Sequence, residues 1–249
     1  QARRIADRRF GVGCDQILIV GPPRAGNADF SYRILNADGS ESGQCGNGAR
    51  CFVRYVRETG LTDKKAVVVD IRDGQMTLEA LDDDTFSVAL GVPAFAPADV
   101  PLAGFAAAER YTLDDVPGGP VTFAAVSFGN PHAVLDVADI DTAPVATLGP
   151  ALESHRVFPE RVNVGFRQIV ARDHIRLRVF ERGAGEPLAC GSGAAAAVVT
   201  AIAAGALDRD VRVDLAGGTA RVVWDGPGTP AYLIGPAERV FDGRLAVAG

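Results

Sequence analysis

The chain has 249 residues, 47% hydrophobic and 22% charged, with a net charge of −6. That length supports one large domain or two small ones with real cores. The composition excludes a disordered chain, and the acidic balance argues against nucleic acid as a partner. No apolar run reaches the ~18 residues of a membrane span and no signal-peptide pattern opens the chain, so no membrane partner and a cytoplasmic location are expected. It begins with Gln1 rather than Met, from which a start inside a longer gene product is expected.

In chain order, the pairs Arg3–Arg4 and Arg8–Arg9 are too short for a binding stripe and read as surface. The run Gly11-Val12-Gly13-Cys14-Asp15 leads into a strand over 16–20. A second strand, 30–35, ends at Asn36. Nine residues later Cys45-Gly46-Asn47-Gly48-Ala49 opens a helical stretch, 50–59, with Phe52, Val53 and Val56 on one side and Gly60 as its stop. Strands over 67–72 and 75–81 flank Asp73-Gly74, a tight-hairpin signal, and a third strand covers 85–90. The Pro- and Ala-rich stretch 91–104 reads as a linker.

The pattern then recurs. A strand over 174–180 ends at Glu181, nine residues before Cys190-Gly191-Ser192-Gly193-Ala194. A helix over 194–204 stops at Gly205, fifteen residues past its cysteine as Gly60 is past Cys45. Strands 211–216 and 219–224 flank Gly217-Gly218, and 231–234 follows. This duplication predicts an α/β (α+β) fold of two similar domains, each a curved, mainly antiparallel sheet around a central helix. The expected domains are 1–90 and 91–235, with a last strand near 239–246 and the segment 236–249 returning to the first.

Four cysteines are too few for a disulfide scaffold and none forms a C-x-x-C pair. His132, His155 and His174 stand far from them, so no metal site is expected. Cys14 and Cys51 are read as structural, with Cys51 packed in the core. Cys45 and Cys190 differ because each precedes a Gly-x-Gly at a helix start. Unpaired amides and the helix dipole there favour a carboxylate, and the same field lowers a thiol's pKa. Two such ends facing each other let one thiolate remove an α-proton while the opposite thiol delivers one, inverting the carbon through a planar carbanion. No cofactor is expected. The only lysines, Lys64 and Lys65, sit in a polar turn unsuited to a pyridoxal phosphate Schiff base, and no Gly-x-Gly-x-x-Gly follows a parallel strand.

The stretches Asn36-Ala-Asp-Gly-Ser-Glu41 with Cys45-Gly-Asn-Gly-Ala-Arg-Cys51, and Glu181-Arg-Gly-Ala-Gly185 with Ala189-Cys190-Gly-Ser-Gly193, resemble the two active-site signatures of diaminopimelate epimerase. Gly129-Asn-Pro-His132, Arg161-Val-Asn163 and Phe10-Gly-Val-Gly-Cys-Asp-Gln16 are also similar to that family. The resemblance implies an active site in the cleft between the domains and conversion of LL-2,6-diaminopimelate to the meso form, a step of lysine and peptidoglycan precursor synthesis. It implies Cys45 and Cys190 as the acid–base pair, and the backbone of Gly46, Asn47, Gly191 and Ser192 as the carboxylate cradle. Gln16, Asn36, Asn130, Asn163, Glu181 and Arg182 would contact the rest of this small amino-acid substrate, with His132 behind them. It also admits a homodimer. Two features depart from the family: its N-terminal strand with a Gly-Ala-Gly-Asn-Asp run has no counterpart here, and Pro187 replaces the usual Thr. A proline racemase or hydroxyproline epimerase is the nearest alternative, although those carry His where Asn47 stands and have no use for Glu181-Arg182. A non-catalytic amino-acid-binding protein on the same fold and a redox sensor using a Cys45–Cys190 disulfide are the others.

Overall fold

The computed structural model describes residues 1–24, 26–43, 46–72, 74–81 and 84–246; Cys45 and Asp73 lie outside them. The first half runs α1 (Ala2–Ala6), β1 (Gln16–Gly21), β2 (Phe30–Asn36), β3 (Glu41–Ser42), α2 (Gly46–Glu58), β4 (Ala66–Ile71), β5 (Gly74–Ala80) and β6 (Phe86–Ala89). The second runs β7 (Tyr111–Leu113), β8 (Val121–Ser127), β9 (Pro131–Asp136), α3 (Val145–Glu153), β10 (Asn163–Ala171) and β11 (His174–Phe180). It continues through α4 (Gly191–Ala203), β12 (Asp210–Leu215), β13 (Gly218–Trp224) and β14 (Ala231–Gly235).

One sheet connects them, in the order β1-β2-β4-β5-β6-β14-β13-β12-β11-β10-β9-β8-β7, with β3 paired to β2. The duplication is therefore visible as a palindrome about the β6–β14 seam. On each side the first two strands are antiparallel, and a parallel step spans the central helix, β2 to β4 or β11 to β12. Antiparallel hairpins then lead back to the seam. At the seam Val88 pairs with Leu233. Val88 faces Leu78 in β5 and Leu233 faces Val222 in β13, the fifth residue of each strand. The pair thus sits on the pseudo-twofold axis relating the halves. This is the two-domain α+β arrangement expected from the repeat.

Both central helices share one hydrophobic core. Helix α2 turns Ala49, Phe52, Val53 and Val56 inward. Helix α4 is buried through Ala194–Ala201 and touches β8, β9, β10, β11, β13 and β14. Alanine suits it: it favours helix and keeps the diameter small enough for a sheet to wrap. The buried Arg167 of β10 ties this helix to the sheet, donating to Ala197 O and Thr200 Oγ1 at 2.5 and 3.0 Å and pairing with Asp136 at 2.5 Å. Among the described residues no helix is long and apolar enough to cross a membrane.

Four expectations are corrected. Cys51 is exposed, because the inward stripe 49/52/53/56 leaves position 51 on the opposite side with Tyr55. The two-residue turns begin one position earlier than expected. Ile71 pairs with Gly74 and Leu215 with Gly218, so each glycine, at φ 144° and 139°, opens the returning strand. Residues 236–246 return to the first half but not as a strand. Pro236 has no N–H to offer a ladder, and its carbonyl accepts from Arg50 Nε at 3.0 Å while Ala237 O accepts from Arg54. The stretch 91–104 is more than a bare linker: Val100 and Leu102 are buried in the second core together with residues of α3 and β7–β10. The strands β8 and β9 escaped sequence reading because they are buried on both faces and show no alternation.

Candidate active site

The candidate site lies where the two central helices begin. Cys190 is the N-cap of α4, in an extended conformation, and its Sγ accepts the Gly193 N–H at 3.4 Å. A side chain at Gly191 would put its Cβ 2.7 Å from Leu233 Cδ2 and 3.3 Å from Asn47 Oδ1, near the backbone N of Asn47. One at Gly46 would meet the same Leu233 methyl at 3.1 Å. The two helix N-termini therefore abut across the seam over one leucine. Two helix N-termini side by side are the kind of place that favours an anionic ligand. The glycines of each Gly-x-Gly lie inside the first helical turn and are required by packing rather than by a bend: a Cβ at Gly193 would sit 3.1 Å from the Cys190 sulfur, and one at Gly48 would sit 2.7 Å from Tyr32 OH. Cys45 lies outside the described residues and directly precedes Gly46 in sequence.

The wall beside Cys190 comes from the turn between β8 and β9 and from the ends of β10 and β11. Gly129, at φ 85°, makes the turn possible. Asn130 Nδ2 donates to Ser192 Oγ at 3.2 Å, and Asn130 Oδ1 lies 3.2 Å from His132 Nε2. Asn163 donates to Pro131 O and accepts from the Arg182 backbone N–H, both at 3.0 Å. Glu181 pairs with Gly185 to close a tight turn. Arg182, on that turn, is exposed and donates to Glu160 O at 3.0 Å. A residue sequence reasoning missed, the buried Glu153 of α3, props this turn by accepting from Gly183 N at 2.9 Å and Arg161 at 3.2 Å. Nothing in its local sequence marked it.

Gln16 and Asn36 form their own pair, Nε2 to Oδ1 at 3.0 Å, and Asn36 also donates to Ser40 Oγ. They open β1 and close β2 in register, while in the second half Asn163 opens β10 and Glu181 directly follows the end of β11.

Electrostatics correct one expectation. The Cys190 thiol is pushed up, by burial first and then by the Glu181 carboxylate, whose charge and hydrogen bond both favour the protonated form. The Gly193 N–H and Ser192 hydroxyl oppose this without overcoming it. With Cys190 only 5% exposed, desolvation outweighs the helix-end field that sequence reasoning relied on. Cys190 is a thiol at neutral pH.

His132, 1% exposed, is pushed from 6.5 down to about 3 by burial and by Arg182, so it is neutral. The sign for stability follows: the unfolded chain binds a proton here below 6.5 and the folded chain refuses it until about 3. The contribution is complete above 6.5 and is lost as pH falls through that window. Between pH 6.5 and 5 it should weaken the fold by about 2 kcal/mol. Urea midpoints across that range test this, and His132→Gln should flatten the dependence. An equal slope in the variant would refute it.

A family model described as diaminopimelate epimerase matches residues 1–96 and 124–240. Among solved structures, a hydroxyproline epimerase from Agrobacterium vitis with bound trans-4-hydroxy-L-proline superposes at TM-score 0.66 and 17% identity, covering 94% of this chain and 76% of that one. A probable proline racemase from Agrobacterium radiobacter with bound carbonate gives 0.64 at 18% identity, over 96% and 80%. A PhzF-family phenazine biosynthesis protein from Bacillus anthracis gives 0.63 at 16%, over 94% and 84%. Likeness at such identities establishes the shared two-domain fold. Matched across both halves of its palindromic sheet, the chain belongs to the diaminopimelate epimerase family, a group of isomerases.

Proposed function

We propose that this protein interconverts LL- and meso-2,6-diaminopimelate without a cofactor, between a 1–90 half (with 236–249) and a 91–235 half. The abutting N-termini of α2 and α4 carry this reading, with Cys190 capping one and Cys45 next in sequence to the other. The substrate's reacting carboxylate binds the amides of Gly46, Asn47, Gly191 and Ser192. Negative charge developing at the α-carbon is then spread into a carboxylate already held by fixed donors. In the LL-to-meso direction Cys45 takes the α-proton as a thiolate. Cys190, held protonated by burial and Glu181, delivers its proton to the opposite face. The reverse reaction exchanges the roles.

Glu181 lies against the Cys190 thiol, which suits it to the ammonium on the reacting carbon. Arg182, on the exposed turn, suits the distant carboxylate, with Gln16, Asn36, Asn130 and Asn163 as neutral partners. Because Arg182 is exposed in this state, its loss is that of a charged hydrogen bond, ~1.5–3 kcal/mol, rather than of a buried ion pair. Arg182→Met should therefore lower kcat/KM for diaminopimelate roughly 10- to 150-fold, mostly through KM. A panel of LL-diaminopimelate, L-proline, hydroxyproline, lysine and glutamate, assayed without added cofactor, tests the assignment. Proline turnover equal to or above that of diaminopimelate would overturn the substrate and leave the two-cysteine chemistry standing.

A further inference from the structure

The side chain of Ser192 has work to do that its backbone amide does not. Its Oγ lies 3.9 Å from Cys190 Sγ and accepts the Asn130 amide at 3.2 Å. A hydroxyl carries one proton. With a lone pair engaged by Asn130, that proton is left to turn toward sulfur. Asn130 keeps this orientation because its Oδ1 meets His132 Nε2, which in a neutral ring must carry the hydrogen to make the bond. His132 is fully enclosed between β8 and β10, opposite Val126 and Asn163. Its position is therefore set by the core, and the chain of donors runs outward from it.

The opposite helix is built differently. Asn47 holds the position equivalent to Ser192, and its Oδ1 accepts from Arg50 of the same helix at 3.2 Å. At this helix position the hydroxyl stands on the Cys190 side and an amide on the other.

We propose that Ser192 and His132 are positioning residues for the Cys190 sulfur: His132 orients Asn130, Asn130 orients Ser192, and the Ser192 O–H steadies the sulfur once its proton has gone to the substrate carbon. This rests on Cys190 being the proton donor of the proposed reaction. A thiolate left there faces the Glu181 carboxylate in a desolvated pocket, with Arg182 on the neighbouring turn and the neutral His132 behind. Two donors then meet it, the Gly193 N–H and the Ser192 O–H. The 3.9 Å separation is long, as expected while the sulfur is uncharged, and charge on the acceptor shortens such bonds.

Alkylation of Cys190 by iodoacetamide at one fixed pH, followed by the mass of its peptide, tests this on the whole chain. Thiolate is the reacting form, so loss of a donor slows the reaction. Ser192→Ala should be alkylated about tenfold more slowly, the value of one hydrogen bond to a charged acceptor. Ser192→Thr should stay near wild type. His132→Leu should be slowed similarly, His132→Gln, which keeps an N–H, should recover part of the rate, and the double variant Ser192→Ala with His132→Leu should be no slower than Ser192→Ala alone. A merely structural role has the opposite sign, since truncating Ser192 opens a path to the buried sulfur. Ser192→Ala reacting as fast as wild type or faster would overturn the proposal, as would full additivity in the double variant. If His132→Leu fails to fold, the two Ser192 variants decide alone. Alkylation needs no substrate, so this result and the substrate panel fail independently.

Discussion

Cys190→Ala is expected to lower epimerisation by ~10²–10⁴-fold, the usual contribution of a positioned acid or base. Cys45→Ala is expected to do the same, because in the proposed reaction each thiol serves one face of the carbon. Cys51→Ala should leave turnover near wild type, since that thiol is exposed on the far side of α2. The proposed mechanism also fixes the origin of the hydrogen. The proton delivered by one cysteine is not the one removed by the other, and a donor thiol exchanges with solvent. In deuterated water, newly formed product should carry deuterium at the inverted carbon. Product that retains its original hydrogen in a single turnover would mean that one base shuttles the proton, and the paired assignment would fall. Near-full activity in Cys190→Ala would do the same damage.

Gly193→Ala is the second large effect, and it separates position from chemistry because both cysteines remain. The added Cβ would sit 2.9 Å from Val179 Cγ2 and 3.1 Å from the Cys190 sulfur. Both neighbours are buried, so relief requires moving the thiol or the helix end. Overpacking of this kind costs about 1–3 kcal/mol of stability. Displacing a reacting group by about 1 Å costs roughly 10²-fold in rate. We expect a folded protein with a lowered melting temperature, kcat down on the order of 10²-fold, and a smaller change in KM. Gly60→Ala provides the contrast: it has a positive φ of 69° but open space around it, so it should cost stability without the same loss of kcat. If Gly193→Ala keeps wild-type kcat, the close packing around the sulfur is not what places it.

The repeat was legible in the chain because its chemistry is contiguous. A polar strand end, nine residues, a cysteine, Gly-x-Gly and a stopping glycine are local features, and they appear twice with matched spacing. That was enough for the α+β halves, the hairpins and Cys190 at a helix start, since a strand's alternation and a helix's stop are written into neighbouring residues. Local pattern misled where burial depended on facing, as with Cys51. It was silent where both faces are covered, as in β8 and β9.

What the sequence by itself determined, then, was the repeated unit, and it named the candidates for its reactive residues. Only the tertiary structure decided how the units meet and what the meeting does to the chemistry. The Val88–Leu233 seam brings the helix ends together, and no local signal specifies a contact between strands so far apart in the chain. Ser192 finds Asn130 across 62 residues, and Glu153 supports the Glu181 turn from another helix. The helix-end field alone points to an acidic thiol at Cys190. Enclosure and the Glu181 carboxylate make it a protonated one, because desolvation depends on everything that surrounds a group and is set only when the fold closes.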